Sequence, residues 1–132
     1  PLSTQATDIL KELHLITGRG KYVFPSARGA SRPLSDNGVR TALRTLGYTN
    51  EKISPHGFRA MASTVLDEIL NFPIDWIEHQ LAHTVKGHNG RAYNRTKHLS
   101  QRQNMMQTWA DYLDGLVSGN NNVVPFRSIV NE

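Results

Sequence analysis

The sequence predicts a mainly α-helical domain, and three observations lead there. Apolar residues recur at helical spacing in segment after segment. Those segments open on residues that cap helices and close on Gly or Pro. The chain has 132 residues, 38% of them hydrophobic and 8% aromatic, which suits one folded domain with a core and not a disordered chain. There is no cysteine, so disulfides, thiolate zinc sites and thiol nucleophiles are excluded. No apolar run approaches the roughly 18 residues of a membrane span. The first residue is Pro1 rather than Met, and the expectation is a piece excised from a longer protein.

Taken in order, Ser3 is positioned to cap a helix with Ala6, Ile9, Leu10 and Leu13 at helical spacing, ended by Gly18. Lys21 to Phe24 is short, aromatic and β-branched, and reads as a strand or extended connector stopped by Pro25. Residues 26–34 read as a surface loop. Ser35 is the expected cap of a second helix with Val39, Ala42, Leu43 and Leu46 on one face, closed by Gly47. Ser54-Pro55 marks a third start, a cap followed by proline at the first helical position. That helix is expected to bury Phe58, Ala62, Val65, Leu66 and Ile69 and to stop before Pro73. A fourth carries Ile74, Ile77 and Leu81, and a polar loop spans Thr84 to Gly90. Ser100 and Gln103 suggest a capping box for the last helix, with Met105, Trp109, Tyr112, Leu113 and Leu116 on its buried side. Residues 119–122 (Gly-Asn-Asn-Asn) form a linker to an apolar tail, Val123-Val124-Pro125-Phe126. The tail is expected to fold back on the domain, although such a linker also makes exchange between protomers cheap.

The formal charge is +4, from 15 Lys+Arg against 11 Asp+Glu, and it is unevenly spread. Arg19, Lys21, Arg28 and Arg32 lie between Glu12 and Asp36 with no acid among them. Lys86, Arg91, Arg95, Lys97 and Arg102, with His79, His83, His88 and His98, lie between Glu78 and Asp111, again with no acid. Two acid-free basic blocks suit an anionic partner, and nucleic acid leads because phosphate contacts supply most sequence-independent affinity.

Three places carry chemistry. In Ser54-Pro55-His56-Gly57-Phe58-Arg59, His56 and Arg59 are three apart at a helix start, where unsatisfied N–H groups and the helix dipole favour an anion. An arginine fork matches two phosphate oxygens; the bland alternative is a surface His beside a solvated Arg. Gln80-Leu81-Ala82-His83 ends a helix, where a lone His is commonly just a favourable terminal charge. In Arg91-Ala92-Tyr93-Asn94-Arg95, flanking cations favour the phenolate that a nucleophile needs, although a tyrosine by itself is more often a packing residue.

Together, His56-x-x-Arg59, Leu81-Ala82-His83 and Tyr93 ten residues on resemble, in order and spacing, the catalytic domain of tyrosine recombinases. Within that family the chain is similar to the integrases of prophages, satellite phages and genomic islands. Pro1-Leu2-Ser3, Tyr22-Val23-Phe24-Pro25-Ser26, Phe58, Ala60 and Met105-Met106-Gln107-x-Trp109-Ala110-Asp111-Tyr112-Leu113 extend the likeness from residue 1 to about residue 116.

The resemblance implies site-specific DNA recombination. Tyr93 would attack a scissile phosphate and form a 3′-phosphotyrosyl link, with no metal and no cofactor. Arg59 would clamp the non-bridging oxygens, His83 would hydrogen-bond the same phosphate, and His56 would accept a proton from the tyrosine or orient it. Arg91, Arg95, Lys86 and Lys97 are the candidate contacts to neighbouring phosphates. The implied partners are double-stranded DNA attachment sites and further copies of the chain in a tetramer, with no membrane, in the bacterial cytoplasm at the nucleoid. The family site also uses an upstream arginine and a hairpin lysine; in similar integrases both precede the Pro-Leu-Ser segment, and neither Lys21, Arg19 nor Arg28 matches them. The expectation is a partial catalytic domain over residues 1–118, then a linker and tail over 119–132. It would have little or no β-sheet, bind DNA weakly and cleave it poorly by itself.

A non-catalytic helical DNA-binding module is the alternative; it accounts for the basic blocks but not for Tyr93, Arg59 and His83 arriving together. A metallohydrolase built on His79, His83 and His88 lacks the glutamate that should follow His79.

Overall fold

The computed structural model of the chain describes residues 1–82 and 98–119. Its elements are α1 (Thr4–Thr17), β1 (Pro25–Ser26), β2 (Gly29–Pro33), α2 (Gly38–Thr45), α3 (Pro55–Thr64), a π-helical turn (Val65–Ile69), α4 (Ile74–Gln80) and α5 (Leu99–Val117). The protein is mainly helical, as its periodicity predicts, with one two-stranded hairpin among the described residues. The chain divides into two compact units, one over Thr4–Phe58 and the other over Pro1–Ser3 with Arg59–Glu132.

In the Thr4–Phe58 unit, α1 starts directly after Ser3 and ends as expected at Gly18, whose N–H donates to the His14 carbonyl at 2.8 Å. Lys21–Phe24 forms no strand and bends at Lys21, Val23 and Phe24; the strands begin instead at Pro25, read as the strand's stop, and run through the segment read as loop. β1 and β2 pair antiparallel, Pro25 with Pro33 and Ser26 with Gly29. Ala27-Arg28 forms the turn, with the Arg28 N–H donating to Ser26 Oγ at 3.2 Å. Two prolines and no alternation of polarity hide such a hairpin from a pattern search. Gly29, at φ +150°, supplies a turn geometry that other residues rarely adopt.

α2 begins two residues later than Ser35 predicts. The Ser35 carbonyl accepts the Gly38 N–H at 2.7 Å, and the cap position falls to Asn37, whose side chain makes no cap bond. The close is as read: Gly47 sits at φ +86°. Its N–H donates to Arg44 O at 3.0 Å, and the Tyr48 N–H donates to Leu43 O at 2.9 Å, which satisfies the last helical carbonyls. Of the predicted apolar face only Leu43 is buried; Val39 and Leu46 are exposed. Arg44 ties the following connector down, donating to the Tyr48 carbonyl, Asn50 Oδ1 and the Ile53 carbonyl.

The second unit holds the core. Leu66, Leu70, Phe72, Ile77 and Met105 are buried, and Val65, Trp76, Leu81, Met106, Trp109 and Tyr112 pack on them. Full burial of each such side chain contributes about 1.5–3 kcal/mol. The third helix does not stay α to its end. After Thr64 the chain widens into the π turn, closed by Leu70 N–H on Val65 O at 2.9 Å. The extra residue in that turn rotates Ile69 off the buried face, while Leu66 and Leu70, four residues apart, stay inside at 1% and 0% exposure. Phe58, expected in the core, is 43% exposed, because the core begins only at Val65, about two turns further along.

Pro73 caps α4, with Trp76 N–H on its carbonyl at 2.9 Å. α4 packs on the π turn and on α5. α5 starts after His98, which adopts the left-handed conformation at φ 57°. The expected capping box is not formed: Ser100 lies inside the helix and its hydroxyl donates to Gln101 Oε1 at 2.9 Å. Met105 is buried as predicted, whereas Leu116 is half exposed. The loop from Thr84 to Gly90 and, beyond Gly119, the linker and apolar tail lie outside the described residues.

Candidate active site

The local sequence builds the start of α3 with little ambiguity. Pro55 occupies the first helical position, and Ser54 Oγ accepts the Gly57 N–H at 3.1 Å, satisfying one of the free donors of the first turn. His56 is exposed and Arg59 half-buried. Both lie on α3, three residues apart, a spacing that sets them one turn from each other along one side of a helix. The positive end of the helix dipole adds to the charge that Arg59 brings.

The second motif lies where α4 ends. Gln80 is its last residue, Leu81 the C-cap, and Leu81 N–H donates to Ile77 O at 2.8 Å. Ala82 follows in the left-handed conformation, φ 51°, at a cost of roughly 1–2 kcal/mol for a residue with a Cβ. Strain of that kind directly before His83 marks a place where the chain's direction is fixed by its surroundings. His83, Tyr93 and the four candidate phosphate contacts Lys86, Arg91, Arg95 and Lys97 lie outside the described residues. Of the four candidate catalytic residues, therefore, the structure puts His56 and Arg59 on one helix.

One polar feature of this region escapes sequence reasoning. Arg102, only 9% exposed, donates through Nε and Nη2 to Gln80 Oε1 at 3.1 and 3.0 Å. Gln80 Nε2 in turn donates to the Pro1 carbonyl at 3.4 Å. By charge alone Arg102 belongs to the basic block. Its spacing says otherwise, since 102, 105, 106 and 109 form one helical stripe. Beside it the His98 ring meets those of Trp76 and His79, with centroids 6.1 and 5.8 Å apart. His79, weighed above as a metal ligand, thus has an aromatic neighbour, and among the described residues no three His, Asp or Glu side chains are grouped to hold a metal ion. No described helix is long and apolar enough to cross a membrane. A pocket lined by His14, Gly18, Lys21 and Tyr22 contains none of the candidate residues.

The sequence profile of the Phage integrase family matches residues 1–99. The chain belongs to the phage integrase family. That match spans His56, Arg59, His83 and Tyr93, and the helices and hairpin are consistent with the region of the integrase catalytic domain. The chain is 41% identical over 122 residues to "Prophage integrase IntZ" of Escherichia coli K12, covering 92% of this chain and 30% of the relative. It is 43% identical over 116 residues to "Integrase" of Enterobacteria phage P4, covering 86% and 26%. It is also 41% identical over 119 residues to "Prophage integrase IntA" of Escherichia coli K12, covering 90% and 28%. The chain thus spans 26% to 30% of the length of these relatives. No solved structure matches it.

Proposed function

We propose that residues 1–118 form part of the catalytic domain of a tyrosine-type, site-specific DNA recombinase, with 119–132 as linker and tail. Tyr93 is the nucleophile. Its oxygen attacks a backbone phosphorus, the bond from phosphorus to the 5′ oxygen breaks, and a free 5′-hydroxyl departs with a proton. The product is a 3′-phosphotyrosyl ester that a 5′-hydroxyl later reverses, so bond energy is kept. Arg59 neutralises the non-bridging oxygens as charge builds on them, His83 donates a hydrogen bond to the same phosphate, and His56 handles or orients the tyrosine proton. Arg91, Arg95, Lys86 and Lys97 grip flanking phosphates. The substrate is an attachment-site duplex, and the working assembly is a tetramer on paired sites.

The observation that carries this reading is a family match that runs through all four motif residues in their order. The start of α3 supports it: a capped helix bearing His56 and Arg59 suits an anionic phosphate. The chain contains no residue that matches the family's upstream arginine or hairpin lysine, so by itself it binds DNA weakly and cleaves poorly. Each missing donor of this kind is worth about 10²–10³ in rate.

The test uses the chain alone and the chain joined behind the upstream part of the phage P4 integrase, both on a nicked suicide duplex. The joined protein is expected to trap a covalent DNA adduct that Tyr93→Phe abolishes while binding survives. A folded, DNA-binding joined protein whose adduct is unaffected by Tyr93→Phe, or that forms none, contradicts the proposal. Ordinary cleavage rates from the chain alone contradict the claim of incompleteness.

A further inference from the structure

The Gln80–Arg102 pair joins two points that lie far apart in sequence and close together in function. Gln80 is three residues before His83, and Arg102 is nine after Tyr93. Their hydrogen bonds close the two ends of the 83–97 segment, the last residue of α4 against the first turns of α5. Burial alone does not explain an arginine here. A cation in the first turns of a helix opposes the dipole, and a buried guanidinium carries a desolvation cost that a leucine of similar reach would avoid. What a guanidinium provides is a rigid fork, and both bonds fall on one oxygen. The backbone on either side is equally specified. Ala82 and His98 both adopt left-handed conformations, and the His98 ring is set against Trp76 and His79 of α4. The Arg102 N–H also donates to the His98 carbonyl at 2.8 Å, so one residue ties both stems.

We infer that Gln80 and Arg102 are positioning residues for strand cleavage: their bond fixes the departure of the chain from α4 and its return into α5, and so sets where His83 and Tyr93 stand relative to a phosphate. The inference rests on the roles proposed above for His83 and Tyr93. It asks little of the bond's strength and much of its geometry, because a displacement near 1 Å in a reacting group costs about 10²-fold in rate.

Two measurements test it. On the joined protein, single-turnover adduct formation and duplex affinity are compared for Gln80→Leu, Arg102→Ala, the double variant and Gln80→Glu. The first two are expected to slow cleavage by about 10²-fold with little change in affinity, and the double variant to be no slower than Arg102→Ala. Gln80→Glu keeps an acceptor for the fork and gives up the donor to Pro1, so it is expected to cleave close to the wild-type rate. On the 132-residue chain, amide exchange at Leu81, Ala82 and Arg102 is expected to rise roughly tenfold in Arg102→Ala, with Leu70 and Phe72 unchanged. Equal loss of affinity and rate, additive single effects, or failure of Gln80→Glu to restore cleavage would overturn the inference, as would unchanged exchange at the stems. If the wild type forms no Tyr93-dependent adduct, the recombinase reading fails instead, and the exchange result still decides whether the pair holds the stems.

Discussion

Ser54 Oγ accepts the backbone N–H of Gly57 at 3.1 Å, and that bond closes the first turn of the helix that carries His56 and Arg59. The Ser54 carbonyl accepts the same N–H at 2.9 Å, so Ser54→Ala removes one of two acceptors and is expected to cost about 0.5 kcal/mol, while Ser54→Asp keeps both and costs less. Urea unfolding of the chain, followed by far-ultraviolet circular dichroism, measures the difference.

Gly47 stands at φ +86° between α2 and the connector to α3. Gly47→Ala forces a Cβ into the left-handed region and is expected to lower stability by roughly 1–2 kcal/mol. Gly47→Asn is expected to cost less, since asparagine tolerates that region. Thermal denaturation of the two variants side by side checks the order.

Ile77 and Met105 meet in the core at 0% exposure each. Ile77→Ala or Met105→Ala is expected to destabilise by about 2–5 kcal/mol. By contrast Leu15→Ser, at a position 87% exposed, stays within about 0.5 kcal/mol. Similar effects at all three positions in denaturant titrations would contradict the placement of the core.

If Arg91 and Arg95 grip phosphates, removing both lowers the dependence of log affinity on log salt by about two. Fluorescence anisotropy on an unrelated duplex across a salt series reads this slope directly. An unchanged slope assigns these arginines to something other than the backbone of DNA.

Much of the fold is legible because it is written in local signals. Gly18, Gly47, Ser54-Pro55 and Pro73 each act within a few residues, and each stands at an element boundary or one residue from it. The departures are those where distant contacts decide. The hairpin at Pro25–Pro33 depends on a turn and a register, not on alternating polarity. The π turn at Val65–Ile69 carries Ile69 off the buried face that uniform helical periodicity assigns to it, while Leu66 and Leu70, four residues apart, stay inside. Ser100 and Gln103 have the spacing of a capping box, yet the helix starts before them because His98 is held by rings of α4. Arg102 looks like surface charge until its position on the Met105 stripe is noticed. His56, Arg59, His83 and Tyr93 are picked out by their order and spacing, and all four fall within the residues that the family profile matches; the structure describes the first two, and the roles of all four belong to the proposal.

The central claim is that a phenol of this chain becomes linked to DNA, and mass spectrometry of the trapped adduct tests it most directly. After nuclease and trypsin digestion of the joined protein, the account predicts a nucleotide on the peptide Ala92-Tyr93-Asn94-Arg95, attached through the tyrosine oxygen. A nucleotide on Tyr22, Tyr48 or Tyr112, or an adduct that persists in Tyr93→Phe, would contradict it.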